Sequence, residues 1–389
     1  MFFPIHSDLS ACCGCKACAS ACKKGAIQFN ADEEGFLYPQ IDENKCVNCG
    51  LCEQICPQNI RVKETNLLET YAAINKDDAV LVKSSSGGLF SAFAKAVFEN
   101  GGVVYGVAYD KEQRAKFIRA ENINEFEPLR GSKYVQADPQ AVYSNALCDV
   151  KQGRIVLFSG TPCQVAAFRN MLNPTSDNVL LIDIICHGVT SPKLFNDFVR
   201  FCEKKNKSKI VHYANRSKAK GWMHLEEQTY QSGRTDCKSL LSQAWRNIFY
   251  SSYAMRPSCY SCNYNLYSKN RLADITLADF WGIENNYFDF YNKNGVSYVG
   301  IYTLQGRKWM NKIQDYIEYI PVSIDHVLPR QPHYRGESVR VSTDKREEFW
   351  KIYQQRGISA IVKLYGKCNF KERIKITIKS TPLYRALRR

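Results

Sequence analysis

Apolar side chains recur at Leu89, Phe90, Phe93, Val97 and Phe98, the spacing of one buried helix face. Asn100-Gly101-Gly102 ends that helix, and Val103 to Val107 reads as the strand that follows. A related texture returns twice. Ile155 to Phe158 is a short apolar strand, Ser159-Gly160-Thr161-Pro162-Cys163 turns the chain into a helix, and Asn173-Pro174 closes it. Thr161 suits the N-cap and Pro162 the first helical position. Val179 to Ile185 is the next strand, Cys186-His187-Gly188 leaves its end, and Ser191-Pro192 starts another helix. Ala273 onward is a strand running into Asp279-Phe280-Trp281-Gly282. Such units in series predict a parallel α/β sheet, with Cys163 and Cys186 at the carboxyl ends of strands, where these sheets hold ligands. Beyond Pro321 come Pro- and Arg-containing loops, then a basic helical tail from Ile358.

Before residue 61 the pattern is different and is set by cysteine. Cys12, Cys15, Cys18 and Cys22 are followed, 34 residues later, by Cys46, Cys49, Cys52 and Cys56, the last one preceding Pro57. Two tandem runs of this spacing are the signature of a two-cluster bacterial ferredoxin, in which the fourth cysteine of each run ligates the other cluster. The spacing therefore assigns Cys12, Cys15, Cys18 and Cys56 to one [4Fe-4S] cluster and Cys46, Cys49, Cys52 and Cys22 to a second. A disulfide framework needs an oxidising compartment, and structural zinc favours separated Cys-x2-Cys pairs over three cysteines at i, i+3, i+6. The register sets Lys23 opposite Pro57, so the first run lacks the usual proline. It sets Cys13 opposite Val47, so Cys13 is a spare thiol.

Composition narrows the setting. A chain of 389 residues with 45% hydrophobic content makes two or three compact units. It holds no apolar run of about 18 residues, so no membrane span is expected. The stretch Met1 to Leu9 lacks the basic region of a signal peptide. With 17 cysteines and no export signal, a cytoplasmic location is expected. The net charge of +15 is concentrated: residues 200–220 and 367–389 each carry eight Lys/Arg against one acid. Both runs read as solvated faces or as docking surfaces for an acidic electron carrier, an anionic substrate or an anionic membrane face. No nucleic-acid recognition motif accompanies the charge, so nucleic acid is not an expected partner.

Six motifs occur together and in order: Ser84 to Leu89 (SSSGGL), Gly131 to Gln136 (GSKYVQ), Ser159 to Gln164 (SGTPCQ), Cys186 to Gly188 (CHG), the Cys259-x2-Cys262 pair, and Asp279 to Gly282 (DFWG). Together they resemble the family of coenzyme F420 hydrogenase/dehydrogenase beta subunits, in the form with a fused N-terminal dicluster ferredoxin, up to about residue 320. Bacterial members with a similar tail often belong with surface-polysaccharide synthesis. The implied fold is α+β / α/β, a small dicluster ferredoxin-like domain followed by a larger flavin-binding α/β domain. The expected boundaries are 1–64 for the ferredoxin domain, 65–150 and 151–325 for the two parts of the flavoprotein domain, and 326–389 for the basic tail.

The resemblance implies non-covalent FAD and a third [4Fe-4S] cluster on Cys163, Cys186, Cys259 and Cys262. It places the flavin at Ser85, Ser86, Gly87, Gly88, Gly131, Ser132, Lys133, Tyr134, Ser159, Gly160, Thr161 and Gln164, with Gly/Ser turns taking the pyrophosphate. Lys133 would stabilise negative charge on the reduced ring. Asp279 is a ribose or structural contact and His187 a candidate proton donor. A surface lysine, a turn aspartate and a satisfied histidine are the ordinary alternatives for these three. The leftover thiols Cys148, Cys202, Cys237 and Cys368 read as packing residues.

The function expected is an oxidoreductase or oxidoreductase subunit, in which a flavin exchanges hydride with an unidentified small molecule. Its clusters would exchange electrons with a redox partner protein or reduced ferredoxin. The alternative is an electron-transfer module docking onto a separate catalytic partner. A cluster-based sensor ranks last, because no DNA-binding unit is legible. No transmembrane segment is expected, though the basic tail offers a peripheral membrane contact.

Overall fold

The computed structural model describes residues 9–59, 63–139, 141–173, 176–337 and 341–367. Cys368 and the rest of the basic run 367–389 beyond Lys367 lie outside the described residues, as do Met1 to Asp8 and Pro174.

In the N-terminal unit, strands β1 (Ile27–Ala31) and β2 (Leu37–Ile41) form an antiparallel hairpin. Each cysteine run wraps into a short helix, Ala17–Ala21 and Leu51–Gln54. The backbone repeats with the same 34-residue offset as the cysteines. Gly14 and Lys16 are left-handed (φ 67° and 58°), and so are Asn48 and Gly50 (φ 53° and 71°). Two left-handed residues in each run curl the chain so that side chains at i, i+3 and i+6 face one centre. Gly14 also has no room for a side chain, since a Cβ there would sit 2.6 Å from Gln136 Nε2 and 2.7 Å from Arg256 Nη1.

The larger unit is built on one eight-stranded sheet. Its strands are β3 (Glu69–Asn75), β4 (Val103–Tyr109), β5 (Ala115–Ala120), β6 (Val156–Gly160) and β7 (Val179–Ile184). After β8 (Ile210–Ala214), β9 (Glu227–Tyr230) and β10 (Thr235–Asp236), which make a separate antiparallel sheet, come β11 (Ile275–Asp279), β12 (Ser297–Ile301) and β13 (Ile317–Pro321). The order is β13-β3-β12-β11-β7-β6-β4-β5, with β4, β6, β7 and β11 parallel and the flanking strands antiparallel. Residues on both sides of position 150 thus share one sheet.

Alternate residues of the parallel strands face opposite helical layers. Val104, Leu157 and Leu180 pack with Leu89, Phe93 and Val97 of the helix Leu89–Glu99. Val103, Val156, Phe158, Val179 and Leu181 pack toward Tyr143, Val165 and Phe168 of the helices Val142–Lys151 and Pro162–Arg169. Burial on both faces explains why these strands read as unbroken apolar runs. Cys13, Cys15, Ala17 and Ile55 join the second layer, so the ferredoxin-type unit shares a core with the sheet.

Polar ties reinforce that contact. The Arg256 side chain is fully buried, and its Nε donates to the Cys12 carbonyl (2.6 Å), Nη2 to the Leu37 carbonyl (2.9 Å) and Nη1 to Gln136 Oε1 (3.1 Å). Lys16 pairs with Asp138 at 2.7 Å, Asn170 donates to the Ile55 carbonyl at 3.0 Å, and Arg346 grips Glu34.

The C-terminal region departs from expectation. Instead of a tail turning helical at Ile358, a helix runs over Thr343–Tyr365, interrupted by a left-handed Gly357 (φ 67°). It packs Phe349, Trp350 and Tyr353 against the helices Pro192–Asn206 and Ala244–Ser251. The exposed Glu, Lys and Gln that dominate its sequence hid the aromatic stripe. Cys148 is exposed and is therefore not a packing residue, whereas Cys202 is buried and Cys237 half-buried. Phe349→Ala, at a position with no exposed surface, is expected to lower stability by about 3–5 kcal/mol in denaturant unfolding. A loss under about 1 kcal/mol would mean that this helix is a surface appendage.

Candidate cofactor pocket and metal centres

The N-terminal cysteines separate by depth. Cys12, Cys15, Cys18 and Cys56 are buried, whereas Cys22, Cys46 and Cys52 are half-buried and Cys49 is exposed. Cys18 feels Cys12 and Cys56, and Cys56 feels Cys12, so the last cysteine of the second run sits with the first run. Burial raises the thiol pKa of Cys12, Cys18 (above its ordinary value) and Cys56 (to about 11). Backbone N–H groups nevertheless point at sulfur, Gly14 to Cys12 and Ala26 to Cys22, each at 3.4 Å. The Arg256 guanidinium has only neutral acceptors, so its buried charge finds its balance when neighbouring thiols are thiolates. This donor set fits anionic iron–sulfur cubes, whose sulfur ligands accept N–H bonds.

At the carboxyl ends of β6, β7 and β11 lies a cavity of about 510 Å³. Ser85, Ser86, Gly88, Gly131, Ser132, Lys133, Tyr134, Ser159, Gly160, Thr161, Gln164, His187 and Asp279 all line it, together with Cys186. Gly87 stands behind this wall. Its N–H donates to Ser297 Oγ at 2.9 Å, and a Cβ would meet the Ala73 carbonyl at 2.3 Å.

The serine turn is strapped in place from several directions. Ser132 N–H donates to Ser85 Oγ (3.0 Å), Ser86 Oγ donates to the Val296 carbonyl (2.9 Å), and left-handed Gly88 opens the helix Leu89–Glu99. Two cations from the basic stretch 200–220 complete the strapping. Arg216 donates to the Ser85 carbonyl at 3.2 Å, and Lys218 to the Ser86 and Leu81 carbonyls at 2.6 Å. These two charges therefore face inward and belong to no external docking face. At the second turn Thr161 and Gln164 form a capping box, Gln164 Oε1 accepting from Thr161 N–H (3.1 Å) and Oγ1 (2.9 Å).

Two expected roles change. The Lys133 ammonium does not reach across the cavity. It donates to the carbonyls of Pro128, Leu129, Arg130 and Gly131 at 2.8–3.1 Å and so pins that loop. Asp279 is held in a bidentate pair with Arg216 (2.7 and 3.1 Å) and accepts from Trp222 Nε1 (2.7 Å). Burial opposes its ionisation, but Arg216 overcomes this and holds the carboxyl below its ordinary pKa. Of the two readings offered for Asp279, the structural one describes these contacts.

His187 lies on the wall with Nε2 3.2 Å from Ser252 Oγ and its ring 4.4 Å from that of His333. Burial, then the neighbouring His333, holds its pKa down at about 4. His187 is therefore neutral near pH 7, a hydrogen-bond donor rather than an imidazolium acid. Sequence reasoning missed the rest of this wall: His333, Phe249, Tyr250, Trp281 and Arg330. Trp281 stacks on Trp222 at 4.5 Å and lies under the Arg216 guanidinium at 5.1 Å. The DFWG motif contains Trp281, the one signal that could have found it.

The remaining motif cysteines gather between this cavity and the ferredoxin-type unit. Cys259 lies near Cys186 and Cys262, and Cys163 near Cys262. All four thiols are raised by burial, Cys186 to about 12 and Cys163 also by its hydrogen bond with Cys13. Cys13, set aside as a spare, stands between Cys15 and Cys163. Among the described residues no three His, Cys, Asp or Glu side chains converge on a single-ion position.

Burial also holds His224 down, at about 3. An unfolded chain, with imidazoles near 6.5, takes up protons before these folded ones do. The stability they contribute is full above pH 6.5 and is lost as pH falls toward 4, by about 1.4 kcal/mol per pH unit for each histidine. His224→Gln should flatten the fall in melting temperature between pH 6.5 and 5, relative to the parent chain. Identical pH profiles would contradict the burial of neutral imidazole.

Comparison with known proteins agrees with this layout. Residues 11–60 match the 4Fe-4S dicluster domain, and residues 153–324 match the C terminus of the coenzyme F420 hydrogenase/dehydrogenase beta subunit. An F(420)H(2) dehydrogenase subunit of Methanosarcina mazei is 25% identical over 332 residues, 81% of this chain and 85% of that protein. The coenzyme F420-dependent sulfite reductase of Methanocaldococcus jannaschii is 25% identical over 171 residues, 42% of this chain and 26% of that protein. A chain of the F420-reducing [NiFe] hydrogenase complex from Methanosarcina barkeri superposes with a TM-score of 0.49 at 18% identity, over 76% of this chain and 95% of that one. The chain is an iron–sulfur oxidoreductase electron-transfer subunit and belongs to the family of coenzyme F420 hydrogenase/dehydrogenase beta subunits, with a 4Fe-4S dicluster domain at its N-terminal end.

Proposed function

We propose that the chain is an iron–sulfur flavoprotein that exchanges a hydride with a small molecule at the cavity and single electrons with a redox protein at the dicluster unit. FAD in the cavity and a third [4Fe-4S] cluster on Cys163, Cys186, Cys259 and Cys262 would supply the junction, since a flavin handles electrons in pairs or singly and a cube handles one. The observation that carries this reading is the position of Cys186. It is part of the cavity wall and also a neighbour of Cys259 and Cys262, while Cys163 leads on through Cys13 to Cys15.

The residues fit a flavin nucleotide. The cavity volume lies within the range of about 300–1,000 Å³ typical of cofactor sites. Its Gly/Ser turns offer backbone N–H groups and a helix start to a pyrophosphate. Lys133, Arg216 and Lys218 hold those turns in shape. Phe249, Tyr250 and Trp281 exclude water on the opposite wall, and neutral His187 presents an imidazole whose proton is positioned by Ser252. The relatives' names make a reduced deazaflavin one candidate for the two-electron donor.

The pure electron-transfer reading draws on the outer cysteine set, where Cys49 and Val47 are exposed beside Lys45. It also serves the proposed enzyme as the exchange point with a redox partner such as reduced ferredoxin. No helix among the described residues is long and apolar enough to cross a membrane.

Anaerobic analysis of the purified chain should give about twelve iron, matching sulfide and one flavin, and Cys186→Ala should leave about eight iron. About eight iron in the parent chain, or activity with no flavin, would overturn the reading.

A further inference from the structure

Cys13 is the cysteine that the 34-residue repeat leaves over, with Val47 in its place in the second run. The fold nevertheless gives it two sulfur partners. Its thiol is hydrogen-bonded with those of Cys15, from the inner N-terminal set, and Cys163, from the cavity-side set. The surroundings are dry: Cys13 is buried and shares a core with Tyr143, Phe158 and Phe168. Its backbone is clamped, the Cys13 carbonyl accepting from Gln136 Nε2 at 3.0 Å and the Cys12 carbonyl from Arg256 Nε at 2.6 Å. Gly14 follows with no space for a Cβ. A thiol outside both ligand sets is thus fixed between a member of each.

We infer that Cys13 is the contact through which the inner N-terminal cluster and the cavity-side cluster exchange electrons, as a positioning residue and not a ligand. The inference rests on reading Cys163, Cys186, Cys259 and Cys262 as a third cluster. With Cys15 and Cys163 engaged as thiolates, Cys13 is the member of the trio that keeps a proton. A thiol has a single S–H donor, so it serves Cys15 Sγ or Cys163 Sγ, but not both at once. A hydrogen bond to a ligand sulfur favours the reduced, more negative cluster. The S–H therefore turns toward the side that holds the electron, and a small rotation about one bond accompanies each transfer. One electron leaves one cluster and one enters the other. No covalent bond forms or breaks, and Cys13 is neither oxidised nor deprotonated. The electrons are supplied by the hydride donor at the cavity or by the one-electron partner protein at the outer set.

The test uses the full chain with its clusters, prepared anaerobically as Cys13→Ala and Cys13→Ser. Both should retain the parent's iron and flavin content. In potentiometric titration followed by electron paramagnetic resonance, Cys13→Ala should lower the midpoints of the two adjoining clusters and leave the outer one unchanged. Cys13→Ser, which keeps a donor, should restore part of the shift. Electron equilibration between flavin and the N-terminal clusters in rapid mixing should slow by about tenfold or more in Cys13→Ala, the scale of losing an outer-shell partner. Loss of about four iron in both variants would make Cys13 a ligand and overturn the inference. Unchanged midpoints and rates at full iron content would reduce it to a packing residue, which also overturns it. If Cys13→Ala fails to hold clusters, the midpoints and rate of Cys13→Ser, compared with the parent, decide the question. About eight iron in the parent chain would sink the three-cluster reading itself, an outcome distinct from the others.

Discussion

A single buried guanidinium joins the two halves of this protein. Arg256 sits three residues before Cys259 and reaches into the first cysteine loop, the hairpin and the loop after Tyr134 at once, through Cys12, Leu37 and Gln136. A hydrogen bond from a charged donor contributes on the order of 1.5–3 kcal/mol, and here three of them bridge distant parts of the chain. The aromatic rings of Phe36 and Tyr38 lie against the same group at 5.4 and 4.2 Å. Electron transfer demands fixed separations between centres. A guanidinium that binds both cysteine loops sets that separation in a way that a flexible linker would not.

Positive charge in this chain serves the interior more than its net value suggests. Arg216 and Lys218 come from a run that reads as a surface patch, yet they hold the serine turn at the mouth of the cavity. Arg271, fully buried, pairs with Asp183 and donates to Thr276 and to the Tyr264 carbonyl, next to the cavity-side cysteines. Anionic cofactors and buried cations stabilise one another, and each is costly alone. The fold places its buried cations where anionic groups are expected.

The sequence revealed what is encoded locally. Cysteine spacing, the Thr161-Pro162 and Ser191-Pro192 helix starts and the apolar strands depend on neighbours a few residues away, and each was legible. The family of the chain was also legible, because its motifs keep their order. The fate of long polar side chains was not. Lys133 was expected at a cofactor and instead caps four carbonyls beside it. Asp279 found Arg216, 63 residues away in sequence. Cys13 looked superfluous because the repeat explains every ligand without it, and only the docking of the two units brings Cys163 to it. The helix Thr343–Tyr365 was masked by its charged surface and by Gly357.

These features describe one rigid unit that holds its cysteine sets in line from cavity to surface. Hydrogen exchange on the oxygen-protected full chain tests that rigidity most directly. The account predicts that amides of residues 12–18 and 254–262 are protected to the same degree and open together, and that Arg256→Met speeds exchange in both segments at once. Independent opening of the 12–18 loop, with 254–262 still protected and the Arg256→Met variant unchanged, would contradict it.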